Sequence, residues 1–305
     1  MRFTKIQGAG NDYLYLDARG QEDSHDWPTL SRAMSDRHFG VGSDGIILIL
    51  DSEKAEARMR MFNADGSEGM MCGNGIRGFA KYVLDRGIVT TEKAPLPIET
   101  LSGIRTITPI FEKDKVTAAR VAMGNPELRP VDVPVLLPDD GPPKQTFQEI
   151  ASDAERNSLG PEVKEAVMDY PLEISGFKLQ LSFVSMGNPH AVAILRGGVD
   201  TFPLESIGPK VEHHPIFPER VNFEIMNVVD RDHIEARVWE RGSGITLACG
   251  SGACAMIVTA RLHGLVGDTV DVSLPGGILT VTWPGHGEVI MEGPTAEVFE
   301  GDWPD

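Results

Sequence analysis

The sequence predicts an α/β (α+β) protein of two pseudo-symmetric domains that arose by internal duplication. The phrase CGNGIRGFAKYVLDRG at 72–87 returns as CGSGACAMIVTARLHG at 249–264, which is 177 positions later. The same offset carries Asn11 onto Asn188, each preceded by glycine. A chance match would not hold its register over so long a stretch. Self-similarity at a fixed offset indicates two halves of similar build.

The first half reads as a β-rich domain with one main helix. Strands are predicted within 1–17, on either side of a Gly-Asn turn, and at IILIL (46–50) and RMRMF (58–62). A helix is predicted to start directly after Cys72 and to stop near a glycine suited to a C-terminal cap. Its apolar residues repeat at helical spacing: Ile76, Phe79, Ala80, Val83 and Leu84, with Gly87 at the stop.

The second half repeats this plan around a helix that is apolar on nearly every side. Such a helix is expected to be buried and wrapped by strands. GILTVT at 277–282 resembles GIRTIT at 103–108, so the repeat continues beyond the helices. The helix pattern is carried by Ala253, Met256, Ile257 and Ala260, with Gly264 at the stop.

Two segments stand outside the repeat. The Pro- and Asp-rich stretch 133–145 is predicted to be a surface excursion, followed by a charged helix at 147–168. The closing PTAEVFEGDWPD is expected to return as a strand to the first domain. We therefore place one domain at 1–122 plus 292–305 and the other at 123–291.

Composition limits the classes of function. The 305 residues are 41% hydrophobic and 24% charged, as expected of a soluble globular protein, and no apolar run reaches the roughly 18 residues of a membrane span. The net charge of -17 argues against nucleic acid and membrane surfaces as partners. The N-terminus has no secretory pattern, so a cytoplasmic protein is expected. Three cysteines without such a signal are expected to be free thiols.

The repeated cysteines are the strongest candidates for chemistry. A single Cys-Gly-x-Gly is as often an inert buried cysteine, but packing gives no reason for both halves to keep one at the same turn. At a helix start, the thiol is expected to have a lowered pKa, and the glycines let a carboxylate approach the backbone. Cys72 and Cys249 could then remove and return an α-proton on opposite faces of one carbon, without a cofactor or a metal.

Five motifs taken together resemble the diaminopimelate epimerase family. They are FTKIQGAGNDYLYLD, DRHFGVGSDG, MFNADGSEGMMCGNGIRGFAKYV, SMGNPHAV and VWERGSGITLACGSGACA, and the resemblance runs from residue 3 to the closing EVFEGDW apart from the excursion near 133–175. The family is cofactor-independent. Its fold implies two α/β domains, each a mixed sheet or barrel around a central helix, with the active site in the cleft between them.

The resemblance also implies roles for individual residues. Cys72 and Cys249 would be the two bases, and Gly73-Asn74 with Gly250-Ser251 would hold the reacting carboxylate. Other residues would surround the substrate: Asn11, Asn63, Asn188, Asn222, Glu240 and Arg241.

Several alternatives stay open. His190 either supports Cys249 or is a satisfied core histidine. Cys254 favours a packed structural role, and Asp44-Gly45 and Asp65-Gly66 read as tight turns. A racemase for histidine or another amino acid would keep both cysteines, whereas a Cys-His hydrolase with His190 as base would leave one cysteine unexplained. No close C-x-x-C pair supports a redox protein. The expected partner is a small-molecule amino-acid substrate, which the resemblance implies is diaminopimelate, and a homodimer is considered.

Overall fold

The chain is described by a computed structural model over residues 1–22, 24–90, 94–138, 141–152, 159–160 and 163–304. It divides into two units, Met1–Ala122 with Glu292–Asp305, and Met123–Met291. Within the described ranges, no helix is both long and apolar enough to cross a membrane.

The first unit is a mixed sheet with a helix against each face. Its elements are β1 (Arg2–Gly8), β2 (Asn11–Asp17), α1 (Trp27–Ser35), β3 (Gly45–Leu50), β4 (Ala57–Asn63), β5 (Glu68–Gly69), α2 (Gly73–Asp85), β6 (Leu96–Thr100), β7 (Gly103–Glu112) and β8 (Lys115–Ala122). Strand β2 pairs with β1 antiparallel and with β3 parallel, and β4 pairs with β6 parallel.

Strand β3 is buried along its whole length because both of its faces are covered. Ile46 and Leu48 pack in one cluster with Trp27 and Met34 of α1. Ile47 points the other way, since side chains alternate along a strand, and its Cδ1 lies under the first turn of α2. An unbroken apolar run is what a strand covered on both faces requires.

The second unit repeats this arrangement. Its elements are β9 (Gln145–Thr146), α3 (Phe147–Ile150), β10 (Val167–Met168), β11 (Tyr170–Ile174), β12 (Phe177–Ser185), β13 (Pro189–Ile194), a 3-10 turn (Val199–Thr201), α4 (Leu204–Glu212), β14 (Asn222–Asp230), β15 (His233–Glu240), β16 (Gly244–Thr246), α5 (Gly250–Leu262), β17 (Thr269–Leu274) and β18 (Gly277–Thr282). Here β13 pairs with β12 antiparallel and with β14 parallel, and β15 pairs with β17 parallel.

Two further strands end the chain, β19 (Ile290–Pro294) and β20 (Ala296–Asp302). Strand β20 pairs antiparallel with β1, with Arg2 opposite Asp302 and Phe3 opposite Gly301. This confirms the expected return of the closing segment to the first unit.

The duplication holds at the level of strand register. Tyr15 pairs with Ile47 across β2 and β3, and the residues 177 positions later, Val192 and Glu224, pair across β13 and β14. Ile46 with Phe62 and Phe223 with Trp239 are related in the same way. Each unit therefore places its central helix and its strand ends at matching positions.

The central helices α2 and α5 are buried as predicted. Every residue of α2 from Gly73 to Leu84 is buried, and α5 is buried except at Ser251 and Arg261. Both end at a glycine in the left-handed region, Gly87 with φ +65° and Gly264 with φ +67°, as expected for a C-terminal cap.

The prediction for the segment outside the repeat was partly wrong. Val133 and Val135 are buried in the core of the second unit with Val167 and Tyr170, so 133–145 is not entirely a surface excursion. Among the described residues of the helix predicted at 147–168, Phe147–Ile150 is an α-helix and Val167–Met168 is a strand. Residues 153–158 and 161–162 of that prediction lie outside the described residues. The few apolar residues of this stretch lie between prolines and aspartates, so the sequence shows no hydrophobic periodicity that would predict their burial.

Candidate active site

Each repeated cysteine is the N-cap of a central helix. Cys72 has φ -127° and ψ 122°, Cys249 has φ -122° and ψ 115°, and each sulfur accepts a hydrogen bond from the N–H three residues later at 3.4 Å. A thiol thus fills the place usually taken by Ser, Thr, Asp or Asn. The first N–H groups of the helix, which have no intrahelical acceptor, lie beside it.

The glycine three residues after each cysteine, Gly75 or Gly252, is packed closely against a side chain of a neighbouring strand. A Cβ at Gly75 would lie 2.7 Å from Ile47 Cδ1, and a Cβ at Gly252 would lie 2.9 Å from Glu224 Oε1. Both distances are shorter than a carbon atom tolerates. Side chains from β3 and β14 therefore reach directly under the turn that presents the thiol.

In the first unit, the Cys72 thiol donates to Asn11 Oδ1 at 3.4 Å. Asn11 is held from its other end, since its Nδ2 donates to Asp44 Oδ2 at 2.6 Å. Asp44 also accepts from the Asp12 N–H and from Arg37. The reading of Asp44-Gly45 as a simple turn was wrong: Gly45 opens β3 with φ +153°, and Asp44 orients Asn11.

A second set of contacts surrounds the N-terminus of α2. Asn74 is buried, and its Oδ1 accepts from Arg77 Nη2 at 2.8 Å, while Arg77 Nη1 donates to the Gly73 carbonyl at 3.2 Å. Arg77 is fully buried. Asn63 ends β4 and donates its Nδ2 to Ser67 Oγ at 3.0 Å. A guanidinium thus lies behind the turn that follows Cys72.

In the second unit, acidic side chains surround the thiol. Glu240 accepts from Thr246 Oγ1 at 2.5 Å, and the Ser251 hydroxyl lies 3.6 Å from Cys249 Sγ. Burial raises the pKa of Glu240; the hydrogen bonds from Thr246 and Cys249 oppose this rise, and the charge of Glu224 adds to it. Glu240 stands 177 positions after Asn63, so the duplicated strand ends carry different side chains.

The prediction of a lowered thiol pKa was wrong for Cys249. Burial, followed by the negative charges of Glu240 and Glu224, raises the pKa of Cys249 well above its ordinary value, and the bonds from Ser251 and the Gly252 N–H are too weak to reverse this. The position at a helix start was visible in the sequence, but the two carboxylates were not. The thiol form of Cys249 is therefore the stable one.

The side chain of Asn222 is hydrogen-bonded to the backbone N–H of Arg241. Asn222 Nδ2 donates to the Pro189 carbonyl at 2.9 Å, and its Oδ1 accepts from the Arg241 N–H at 2.9 Å. Arg241 is half-buried, and its Nη1 donates to the Glu219 carbonyl at 3.0 Å. The buried Asn222 thereby fixes the loop that carries the guanidinium.

His190 is fully buried, and its bonds go to two side chains other than Cys249. Nδ1 lies 2.7 Å from Glu224 Oε1, and Nε2 lies 3.0 Å from Asn188 Oδ1. Asn188 is half-buried. Of the two alternatives from the sequence, the geometry fits a core histidine whose ring nitrogens are both satisfied, and the side chain that His190 contacts on the polar side is Asn188 rather than Cys249.

Three of these side chains were missed in the sequence: Asp44, Arg77 and Glu224. The comparison of the two halves at the offset of 177 would have indicated two of them. Arg77 matches Cys254 and Glu224 matches the apolar Ile47, so each is a charged residue present in one half and absent from the matching position of the other. Cys254 is buried with no exposed surface, as expected of a packing residue. Over the described ranges, no group of three or more His, Cys, Asp or Glu side chains is suited to hold a metal ion.

Solved structures share the fold of the whole chain. A phenazine biosynthesis protein of the PhzF family from Bacillus anthracis is 20% identical with a TM-score of 0.66, and the match covers 99% of this chain and 98% of that one. A hydroxyproline epimerase from Agrobacterium vitis is 13% identical with a TM-score of 0.62, covering 99% and 90%. The fold is therefore that of the PhzF proteins and of amino-acid epimerases and racemases.

Relatives in sequence are closer. The family described as diaminopimelate epimerase matches residues 3–129 and 182–298. A diaminopimelate epimerase from Acetivibrio thermocellus is 45% identical over 303 residues, covering 99% of this chain and 98% of that protein. One from Desulfovibrio desulfuricans is 44% identical over 305 residues, covering 99% and 98%. The chain belongs to the diaminopimelate epimerase family and is an isomerase.

Proposed function

We propose that this protein is a diaminopimelate epimerase, which interconverts LL- and meso-2,6-diaminopimelate in the synthesis of lysine and peptidoglycan precursors. The observation that carries the proposal is the pair of N-capping thiols, Cys72 and Cys249, at matching positions of two duplicated units. Relatives 41% to 45% identical over nearly the whole chain carry this name.

In the proposed reaction, the two thiols act on opposite faces of one α-carbon. In one direction, Cys72 as thiolate removes the α-proton, and Cys249 returns a proton from its stable thiol form. The reverse direction exchanges the roles. The raised pKa of Cys249 suits the donor role, because a thiol that stays protonated has a proton to give. The titration of the two thiols belongs to the pair and not to either one.

The negative charge that develops on the substrate carboxylate during proton transfer needs hydrogen-bond donors to stabilise it. The N–H groups at Gly73-Asn74 and Gly250-Ser251 lie at helix N-termini, where aligned dipoles favour negative charge. In the proposal they hold the reacting carboxylate, and Arg77 behind the first of these turns adds a buried positive charge. No cofactor is needed for this chemistry.

The distal amino-acid group of the substrate would be bound by polar side chains at the strand ends. We assign this role to Arg241, as the carboxylate partner, together with asparagines. The residues proposed to surround the substrate as a whole are Asn11, Asn63, Asn188, Asn222, Glu240 and Arg241. Diaminopimelate carries two carboxylates and two ammonium groups, so its net charge is near zero at neutral pH. The net charge of -17 on the protein therefore does not repel it.

The alternative functions are less well supported. A Cys-His hydrolase needs an imidazole at the thiol, but the hydrogen bonds of His190 go to Glu224 and Asn188. A racemase for another amino acid would leave the polar groups for the distal end unpaired, at roughly 1 to 3 kcal/mol each. Location in the cytosol and a homodimer stay predictions, which cell fractionation and sedimentation would test.

The proposal is tested by incubating the purified protein with LL-diaminopimelate in deuterated water. We expect meso product that carries deuterium at the inverted α-carbon, and an equilibrium mixture from either isomer. Alanine, histidine and proline serve as competing substrates in parallel reactions. Racemisation of one of these at a comparable rate, with diaminopimelate unchanged, would reject the assignment.

A further inference from the structure

A buried acid on β14 and a buried imidazole at the start of β13 form a closed pair. His190 and Glu224 have no exposed side-chain surface, and Nδ1 lies 2.7 Å from Oε1. Glu224 Oε2 has no hydrogen-bond partner among the described residues. Among the side chains of the described residues, the hydrogen-bond partner of the Glu224 carboxyl is His190.

The fold does not need this pair. The residues 177 positions earlier, Tyr13 and Ile47, occupy the matching places in the first unit. Ile47 lies under Gly75 as Glu224 lies under Gly252, with matching close approaches of 2.7 Å and 2.9 Å to an added Cβ. Since an apolar side chain fills the same place in the other unit, packing alone does not explain a carboxyl here.

Both ring nitrogens of His190 face oxygen atoms, and this fixes the number of protons. Nε2 lies 3.0 Å from Asn188 Oδ1, an acceptor, so Nε2 must carry a hydrogen. Nδ1 and Glu224 Oε1 then share a second proton, whichever atom holds it. A pair with two protons has no net charge, which a fully buried site favours over a lone carboxylate.

The other charged groups nearby favour the same state. Glu240 on β15 and Cys249 before α5 both face this site, and burial raises the pKa of each. Burial likewise raises the pKa of Glu224, while His190 opposes the rise. A further negative charge on the pair would meet these acidic groups without solvent to screen it.

We propose that Glu224 is a positioning residue that keeps His190 in the Nε2–H form, so that Asn188 presents its NH₂ group to the substrate. With Oδ1 held by His190, Nδ2 is directed away from the ring, and it makes no hydrogen bond to any described residue. The half-buried amide is then a fixed donor for a substrate carboxylate. This inference rests on the proposed function for the identity of that carboxylate.

The first test needs no substrate. Nitrogen-15 spectra of His190, assigned with H190Q, should show a protonated Nε2 in the wild-type protein. In E224Q, the glutamine can face Nδ1 with either its oxygen or its NH₂ group, so both tautomers are accommodated and the two nitrogen shifts should move toward each other. An unprotonated Nε2 in the wild type, or unchanged shifts in E224Q, overturns the proposal.

The second test is a double-variant cycle on diaminopimelate turnover. If E224Q lets Asn188 point either way, the donor-outward population falls by about half or more, so KM should rise roughly twofold or more with little change in kcat. In N188A the orientation no longer matters, so adding E224Q should have no further effect. Effects that multiply instead would show that Glu224 does not act through Asn188.

A third measurement separates positioning from stability. The double variant H190Y/E224I copies the Tyr13 and Ile47 of the first unit, and we expect its free energy of unfolding to equal or exceed that of wild type while KM rises. A folded variant with reduced stability and unchanged KM would contradict the inference. A wild-type protein that does not epimerise diaminopimelate would reject the proposed function, whereas the nitrogen-15 result would still decide the state of His190.

Discussion

The thiol of each repeated cysteine is both a helix cap and the proposed acid or base. As a cap, Cys72 Sγ accepts from the Gly75 N–H, and Cys249 Sγ accepts from the Gly252 N–H. What differs is the surrounding charge: Arg77 lies behind the turn after Cys72, while Glu224 and Glu240 act on Cys249. The two thiols therefore share one backbone geometry but lie in different electrostatic environments.

Replacing either thiol should stop epimerisation. Proton transfer by a positioned group contributes about 10² to 10⁴ in rate, so C72A and C249A should each lose at least ~100-fold in kcat with LL-diaminopimelate. The matched control is C254A, which removes a fully buried sulfur from the same helix as Cys249. It should fold and keep near-normal kcat; a similar loss in C254A, or full activity in C72A, would reject the assignment.

The raised pKa of Cys249 can be measured by alkylation. Because the thiolate is the reactive form, the rate at Cys249 should rise only at a pH above the value near 8.5 at which an ordinary thiol ionises. E240Q removes one of the repelling charges, so the inflection should move to lower pH. Peptide mapping after iodoacetamide treatment across a pH series gives both curves. An inflection at or below the ordinary value in wild type contradicts the described environment.

At the scale of elements, the central helices depend on a glycine in the first turn. In α5 this glycine lets Glu224 and the cysteine side chain approach within 2.9 Å and 3.3 Å of where a Cβ would be. The positive φ of the capping Gly264 ends α5 a few residues before β17 begins at Thr269. Close approach at one end and a left-handed residue at the other thus position each thiol.

Gly252→Ala should destabilise the second unit. Overpacking a tight site costs about 1 to 3 kcal/mol, and the added methyl would also push Glu224 away from His190. The control is Gly197→Ala, a loop position where a Cβ meets nothing within 4 Å, and which should stay within about 0.5 kcal/mol of wild type. Chemical unfolding of the three proteins checks this, and equal stability of both variants would argue against the packing described.

Elements with a strong period were predictable, and single polar contacts were not. The repeat and the 3.6-residue spacing located α2 and α5, and Cys72 and Cys249 followed from them. Val133 and Val135 were missed because their neighbours are prolines and aspartates. Glu224 was missed because nothing in the segment VNFEIM shows that its partner is His190, 34 positions earlier.

At the scale of the whole molecule, the net charge of -17 makes paired carboxylates important for pH stability. One pair joins the end of α5 to the start of β11: His263 Nε2 lies 3.2 Å from Asp169 Oδ1, and Nδ1 lies 2.9 Å from the Thr259 carbonyl. Burial lowers the pKa of His263, but the bonds to Asp169 and Thr259 outweigh this and raise it. The bond to His263 in turn outweighs burial and lowers the pKa of Asp169.

The contribution of this pair to stability should depend on pH. As pH rises, the stabilisation that His263 gains from the pair is complete below the ordinary histidine pKa of 6.5 and is lost through the raised pKa of His263. As pH falls, the stabilisation that Asp169 gains from the pair is complete above the ordinary aspartate pKa of 3.8 and is lost through the lowered pKa of Asp169. H263Q should therefore lower Tm more at about pH 5.5 than at about pH 9.

A matched histidine gives the control for that comparison. His213 makes the same bond to the carbonyl four residues earlier, Pro209 O at 2.9 Å, but within the described chain it has no carboxylate partner. H213Q should change Tm by a similar small amount at both pH values. If H263Q did the same, the ion pair with Asp169 would not contribute as described.

The matching of Ile47 with Glu224 has an evolutionary consequence. A half-length ancestor assembled as a symmetric dimer must carry the same side chain at both copies of every position. Once both copies lie in one gene, each can mutate alone, and here one position holds an aliphatic residue while its counterpart holds an acid. Fusion thereby allowed the symmetry to break, so that two inherited thiols at equivalent turns could be specialised separately.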